Sequence, residues 1–412
     1  MIDRPRGVAA SMRWSSALVG IQALALASLI LLTPGDAQAY PWMIRHNYTG
    51  CATCHADPSG WGLLTAYGRA QSELVLRTEY TTHTTSPEPG PAANFLFGAL
   101  DPLFKMPDWL LLGGSFRGAE LFTRPQGGPV SSRYIQMQAD GYAQVTLGHF
   151  RANGAIGYAP TGAVLAALTT KDSENIVSRV HWLGFDFGDQ AFLLRAGRLN
   201  VPFGIRNNEH NSFVRVETRV DLNSGQQDGV ALAYTGDRLR GELMGILGNY
   251  QLFPDEARER GYSGYLEVAV TPRAALGVSS LITHAAKDRF FNAENTRQAH
   301  GIFARYAPVR PVVVLMEADL SLQNPANGPS STGYVGFLQI DTEFIQGVHL
   351  APWFEILDER RDGNGPTLGA WLTADWFFAP HTDLRLDFFE YRPPAGSGRI
   401  SLGFLVNLHI FL

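Results

Sequence analysis

The sequence predicts an all-β fold: a closed, membrane-lodged antiparallel barrel of sixteen strands behind a short N-terminal unit. Three observations carry that expectation. Apolar and polar residues alternate with period two over much of residues 109–412, the pattern of strands with one wet face. Short turns and longer polar loops alternate along the same stretch, as the two rims of an outer-membrane barrel require. Beyond residue 39 no segment has the apolar length that a membrane helix needs, about 20 residues.

Composition narrows the alternatives. The 412 residues are 45% hydrophobic and 17% charged, too apolar for a disordered chain. A net charge of −5 excludes a general nucleic-acid binder, which needs a basic face. Lysine is nearly absent: of the 33 Lys and Arg residues, only Lys105, Lys171 and Lys287 are lysines. There are 2 cysteines, Cys51 and Cys54, so the chain has neither a disulfide scaffold nor an all-cysteine metal site.

The first element, residues 1–39, is an address. Arg4, Arg6 and Arg13 precede an apolar run from Ala17 to Leu32, which Thr33-Pro-Gly-Asp36 breaks before Ala37-Gln-Ala39. That order is a secretory signal peptide with its small-residue cleavage site. A retained anchor would explain the apolar run but not the Pro-Gly break or the Ala-x-Ala site. The mature chain is expected to begin at Tyr40, outside the cytoplasm.

The second element, residues 40–77, carries Cys51-Ala-Thr-Cys54-His55. Two thiols three positions apart bond the two vinyl groups of a haem, and the adjacent imidazole becomes the proximal iron ligand. Other uses of the motif lack support around it. A thioredoxin-like pair needs a βαβ context, zinc needs further ligands at suitable spacing, and a disulfide over three residues is rare. The expected cofactor is therefore one covalently attached haem c, held by Cys51, Cys54 and His55. For the sixth iron position His46 is the favoured candidate, which would make His55 and His46 the metal ligands. Met106, in Lys-Met-Pro-Asp-Trp, is the alternative; Met43, His83, or an open or water-ligated site are also available.

The third element, residues 78–108, is polar and proline-bearing near Thr78–Pro91 and reads as a linker. The N-terminal unit is too small to bury much core of its own, so it should lean on the rest of the chain.

The fourth element, residues 109–412, is the barrel. Leu384, Leu386 and Phe388 alternate with Asp383, Arg385 and Asp387; Leu266 and Val268 flank Glu267; Met316, Ala318 and Leu320 alternate with Glu317, Asp319 and Ser321. The cleanest strand is the last, Ile400 to Leu412. Short turns are expected near residues 148, 188, 236, 272, 309, 346 and 380, with longer loops near 160–175, 200–226, 250–260, 286–297, 323–330 and 359–366. A spanning sheet must close on itself because lipid satisfies no backbone amide. A soluble sandwich would leave both the one-sided apolar face and the loop rhythm unexplained.

A single C-x-x-C-H straight after a signal peptide, followed by one porin-sized barrel, resembles the fused monohaem cytochrome–porins of bacterial outer membranes. Cys51, Cys54, His55, Pro58 and Tyr67-Gly68-Arg69 carry the likeness; Gly60-Trp61-Gly62 departs from the pattern of the iron-oxidising members. The resemblance implies an outer-membrane electron-transfer protein between an extracellular donor or acceptor and a periplasmic cytochrome or other carrier. It extends to iron or metal oxidation in the iron-oxidising branch. The alternative is a solute porin whose haem-bearing segment is a plug or sensor. Its partners would be outer-membrane lipid and redox proteins, not nucleic acid. The haem unit would sit on the periplasmic side or, preferably, in the barrel lumen. There Glu267, Glu355 and Asp375 are expected on the inner wall facing it.

Overall fold

A computed structural model describes residues 41–412 apart from 48–49, 81–87, 92–93, 104, 159–175, 208, 210, 223–224, 253–254, 360–364, 395 and 397. The signal peptide, Tyr40, His83 and the 160–175 loop lie outside the described residues. Sixteen strands, β1 (Leu110–Pro125) through β16 (Ser401–Phe411), each pair antiparallel with their sequence neighbours, and β1 pairs with β16 to close the barrel. At the seam Arg117 stands opposite His409 and Ser115 opposite Phe411. Leu412 adds a reciprocal pair of backbone hydrogen bonds to Gly114.

The alternation decides the faces. Leu183, Leu243, Ile302 and Phe388 are exposed on the outside, while Arg195, Glu242, Glu267 and Asp387 point inward and are buried. A closed sheet with an apolar outer belt has no unpaired edge to offer lipid, which is what spanning requires. Aromatic rings gather at the short-turn rim: Phe150, Phe185, Phe187, Phe192 and Tyr234 form a chain with centroids 4.8–6.5 Å apart. Such girdles sit at membrane–water interfaces.

The seven short turns fall where the alternation breaks, all on one rim. The 286–297 loop is a correction. β9 (Ala274–Asp288) and β10 (Ala293–Val309) run through most of it and leave only residues 289–292 between them. Polar residues such as Lys287, Glu294 and Arg297 look like loop, yet they lie within the two strands, Arg297 opposite Thr283 and Glu294 at an irregularity in the pairing.

The lumen is filled. Residues 41–78 enter at the short-turn rim as a turn at Pro41–His46, a folded-back loop around Cys51–Leu64, and helix α1 (Ala66–Gln71) widening into a further turn over Ser72–Leu76. Each of the three apolar clusters inside the barrel joins this segment to the wall. Ala56 and Leu63 pack with Tyr142, Trp182 and Leu199; Ile44 with Val313, Leu315 and Trp353; Met43, Leu64 and Leu76 with Phe377 and Phe411. The long connection after β5 (Phe192–Leu199) also folds inward, carrying helix α2 (Phe213–Thr218) and burying Val201, Phe203, Ile205 and Val214. A chain segment too small for its own core thus borrows one from the barrel.

Candidate functional site within the barrel lumen

Cys51–His55 form one helical turn: the Cys54 and His55 amides both donate to the Cys51 carbonyl, at 3.2 and 3.0 Å. The Cys51 thiol and the His55 imidazole open onto two separate voids, one on each flank of this turn. The loop then returns, with the Ala56 amide on the Leu63 carbonyl and the Thr65 amide on the Cys54 carbonyl, each at 2.9 Å. Two glycines make the return possible. Gly60 (φ 78°) and Gly62 (φ 70°) sit in the left-handed region, which glycine adopts without strain. A Cβ at Gly60 would also fall 2.9 Å from the Cys51 sulfur. Farther on, Gly68 lets α1 lie against the Cys54 carbonyl, where a Cβ would approach to 2.2 Å. The Gly-Trp-Gly and Tyr-Gly-Arg triplets are therefore what fold the chain around the two thiols.

Both thiols are free. Burial raises the Cys51 thiol above its ordinary range and pushes Cys54 up to about 12. Burial also lowers the His55 imidazole to about 4, opposed by its bond to the Gly62 carbonyl. The site thus presents two neutral thiols and a neutral imidazole whose orientation a backbone carbonyl fixes. An imidazole so held is the form that binds iron.

Wall residues hold the segment down. Asp57 accepts from the Trp182 indole at 3.1 Å and from Arg195 at 2.7 Å, and Arg195 also bonds Glu242. Burial alone would raise the Asp57 carboxyl, but Arg195 and the Ser59 hydrogen bonds outweigh it and hold it below the usual range. Asn200 donates to Ser59 at 3.0 Å. Arg45 pairs with Asp341, and His46 Nε2 lies 3.0 Å from Glu343. Arg69 reaches the Leu112 carbonyl, the His381 amide donates to Ser72 at 2.9 Å, and Gln346 donates to the Leu74 and Arg77 carbonyls.

These partners differ from the three wall carboxylates the sequence suggested. Glu267 is taken by Arg240 and Arg305, though it lines the cavity beside Cys51. Glu355 accepts the Phe213 amide and the Trp371 indole, and Asp375 faces a separate cavity with Trp42 and His349. Asp57–Arg195 spans 138 positions, and no local pattern marks it.

Two voids flank the pentapeptide. One, ≈ 30 Å³, lies by Cys51 among Arg206, Arg240, Tyr265 and Arg305. The other, ≈ 80 Å³, lies by His55 among Trp61, Tyr142, Arg117 and His409. The donor set and the glycine cradle fit a haem c. His46 is engaged with Glu343 at the rim, and Met106 lies half-buried in the approach to β1; neither lines the void beside His55.

No family model and no curated protein sequence matches this chain. Solved structures do match in fold. Outer-membrane expressed OmpT of Vibrio cholerae is 11% identical with a TM-score of 0.57, covering 75% of this chain and 99% of its own. An anion-selective porin from Comamonas acidovorans is 11% identical, TM-score 0.56, covering 74% and 99%. The outer membrane channel DcaP of Acinetobacter baumannii is 11% identical, TM-score 0.53, covering 75% and 99%. The barrel has the fold of outer-membrane porins. The share of this chain left uncovered is about the length of chain before β1.

Proposed function

We propose that this chain is an outer-membrane electron conduit, a haem c held inside a plugged barrel to move electrons between an extracellular redox partner and a periplasmic carrier. The observation that carries the proposal is the burial of a C-x-x-C-H turn in the lumen, locked to the wall by the Asp57–Arg195 and Arg45–Asp341 pairs. Cys51 and Cys54 would hold the ring through thioethers, and His55 would ligate the iron from below. The group, when bound, supplies reversible one-electron chemistry at iron.

The chain's own residues do the rest. Gly60 and Gly62 shape the loop around the sulfurs, the Gly62 carbonyl orients the imidazole, and the Asp57 lock fixes the turn relative to the wall. Trp61 packs edge-on to Tyr142 of the wall, with centroids 5.4 Å apart. A buried, preorganised site disfavours reorganisation around a changing charge, which suits electron transfer. Entry at the short-turn rim, the periplasmic side in barrels of this kind, leaves that face for a soluble carrier.

The porin-fold neighbours favour a second reading, a solute channel in which residues 41–78 are a plug or sensor. Haem staining after denaturing electrophoresis, with planar-bilayer conductance on the same preparation, separates the two. A stained band with low conductance supports the conduit. An unstained protein with porin-like conductance supports the channel.

A further inference from the structure

We propose that the barrel wall itself supplies the sixth iron ligand, and that this ligand is His409 on β16. The inference rests on the haem reading and adds a residue to it. Among the described residues lining the void beside His55, His409 is the only other imidazole, and no methionine is present. His409 stands two positions from the end of β16, opposite Arg117 on β1 and Asp383 on β15 (Thr382–Arg392).

Its two nitrogens are set differently. Nδ1 lies 2.8 Å from an Asp383 carboxylate oxygen, which fixes the proton on that nitrogen. Nε2 lies 3.1 Å from the Ser115 hydroxyl, and Ser115 lines the same void. The nitrogen beside Ser115 is therefore the one with a lone pair to offer, and its partner there is a single neutral hydroxyl. A carboxylate behind an imidazole is the usual second partner of a metal-bound histidine; it fixes the tautomer and strengthens the donor. The candidates nearer in sequence lack this arrangement. His46 has its Nε2 on Glu343 at the rim, and Met106, half-buried ahead of β1, does not line this void.

Placing the distal ligand on β16 has a structural consequence. β16 forms the closing seam with β1, so axial ligation and barrel closure would be completed by the same strand. Asp383 then acts as a positioning residue through His409.

The test uses the full-length protein purified from outer membranes, read by optical and low-temperature EPR spectra and by potentiometric titration. The wild type is expected to be low-spin with bis-histidine signals. His409→Ala should give a high-spin ferric spectrum, and added imidazole should restore the low-spin one. His409→Met should stay six-coordinate with a higher reduction potential. Asp383→Asn should keep the low-spin state and shift the potential upward, because the imidazole becomes a weaker donor. His46→Ala should change neither spectrum nor potential. A low-spin spectrum that survives His409→Ala, or a high-spin wild type, overturns the inference while leaving the haem reading intact. A wild type with no covalent haem overturns the haem reading itself. If His409→Ala fails to assemble, His409→Met decides the matter: an unchanged bis-histidine spectrum and potential sink the proposal.

Discussion

At the scale of single residues the proposed haem chemistry rests on the Cys51–His55 pentapeptide and on the side chains that seat it. Cys51→Ala with Cys54→Ala should abolish haem retained through denaturing electrophoresis while the barrel still assembles and keeps its heat-modifiable migration, because thioether attachment at these thiols and strand pairing use separate parts of the chain. A stained band in the double variant would refute covalent attachment at these thiols. Gly60→Val should be nearly as damaging to haem retention, since its Cβ would meet the Cys51 sulfur and its backbone is left-handed, a conformation costly for a β-branched residue. Gly127, also left-handed but with open space around it, provides the control: Gly127→Ala should leave haem content unchanged. Asp57→Ala removes one carboxylate from a buried arginine that keeps Glu242. A cost of about 3 kcal/mol to the seated segment, the low end for breaking a buried pair, should appear as protease cleavage within residues 41–78.

The sign of the pH dependence follows from the same residue. Asp57 has its carboxyl held below the usual range in the folded state, so its contribution is fully present above the unfolded carboxylate pKa and is lost only as pH falls through the lower folded value. The N-terminal segment should therefore stay seated from neutral into mildly acidic solution and release below the ordinary carboxylate range. Bilayer conductance measured against pH would show this as a step at low pH. A step near neutral pH would instead show that the Asp57–Arg195 pair does not govern seating.

At the scale of elements, the strands were readable from sequence because a period of two survives wherever one face meets lipid. Leu384, Leu386 and Phe388 face out and Asp383 and Asp387 face in, as their alternation indicates. Leu386→Arg should cost about 2–4 kcal/mol of assembly if it lies near the midplane, read as loss of the heat-modifiable band. The inward carboxylates are not idle channel lining. Asp387 accepts from Arg385 and Thr373, so Asp387→Asn should also weaken the barrel, though less than the arginine does. If the two effects were reversed in size, the assignment of faces would be wrong. Sequence overestimated the 286–297 loop because strands that rise above the membrane turn polar on both faces, erasing the signal that marks them. Nor did it signal that residues 200–226 fold inward: Val201, Phe203 and Ile205 are an apolar patch in an otherwise polar connection, and only the filled lumen explains them.

At the scale of the whole molecule, the barrel and the segment inside it complete each other. The segment has no core without the wall, and the wall around Arg195 and Asp341 holds buried charge that Asp57 and Arg45 neutralise. The pentapeptide was legible as a motif because its residue types and spacing are local. Its wall partners were not, because each is fixed by a fold that brings together positions more than 100 apart.

A conduit must pass electrons to the lumen from outside the cell. Reduced-minus-oxidised spectra of intact cells, recorded after adding a membrane-impermeant reductant outside, test this most directly. The haem band of this protein should appear at once and be absent in the Cys51→Ala, Cys54→Ala variant. A haem that stays oxidised under the impermeant reductant, yet is reduced by a permeant one, would contradict the conduit.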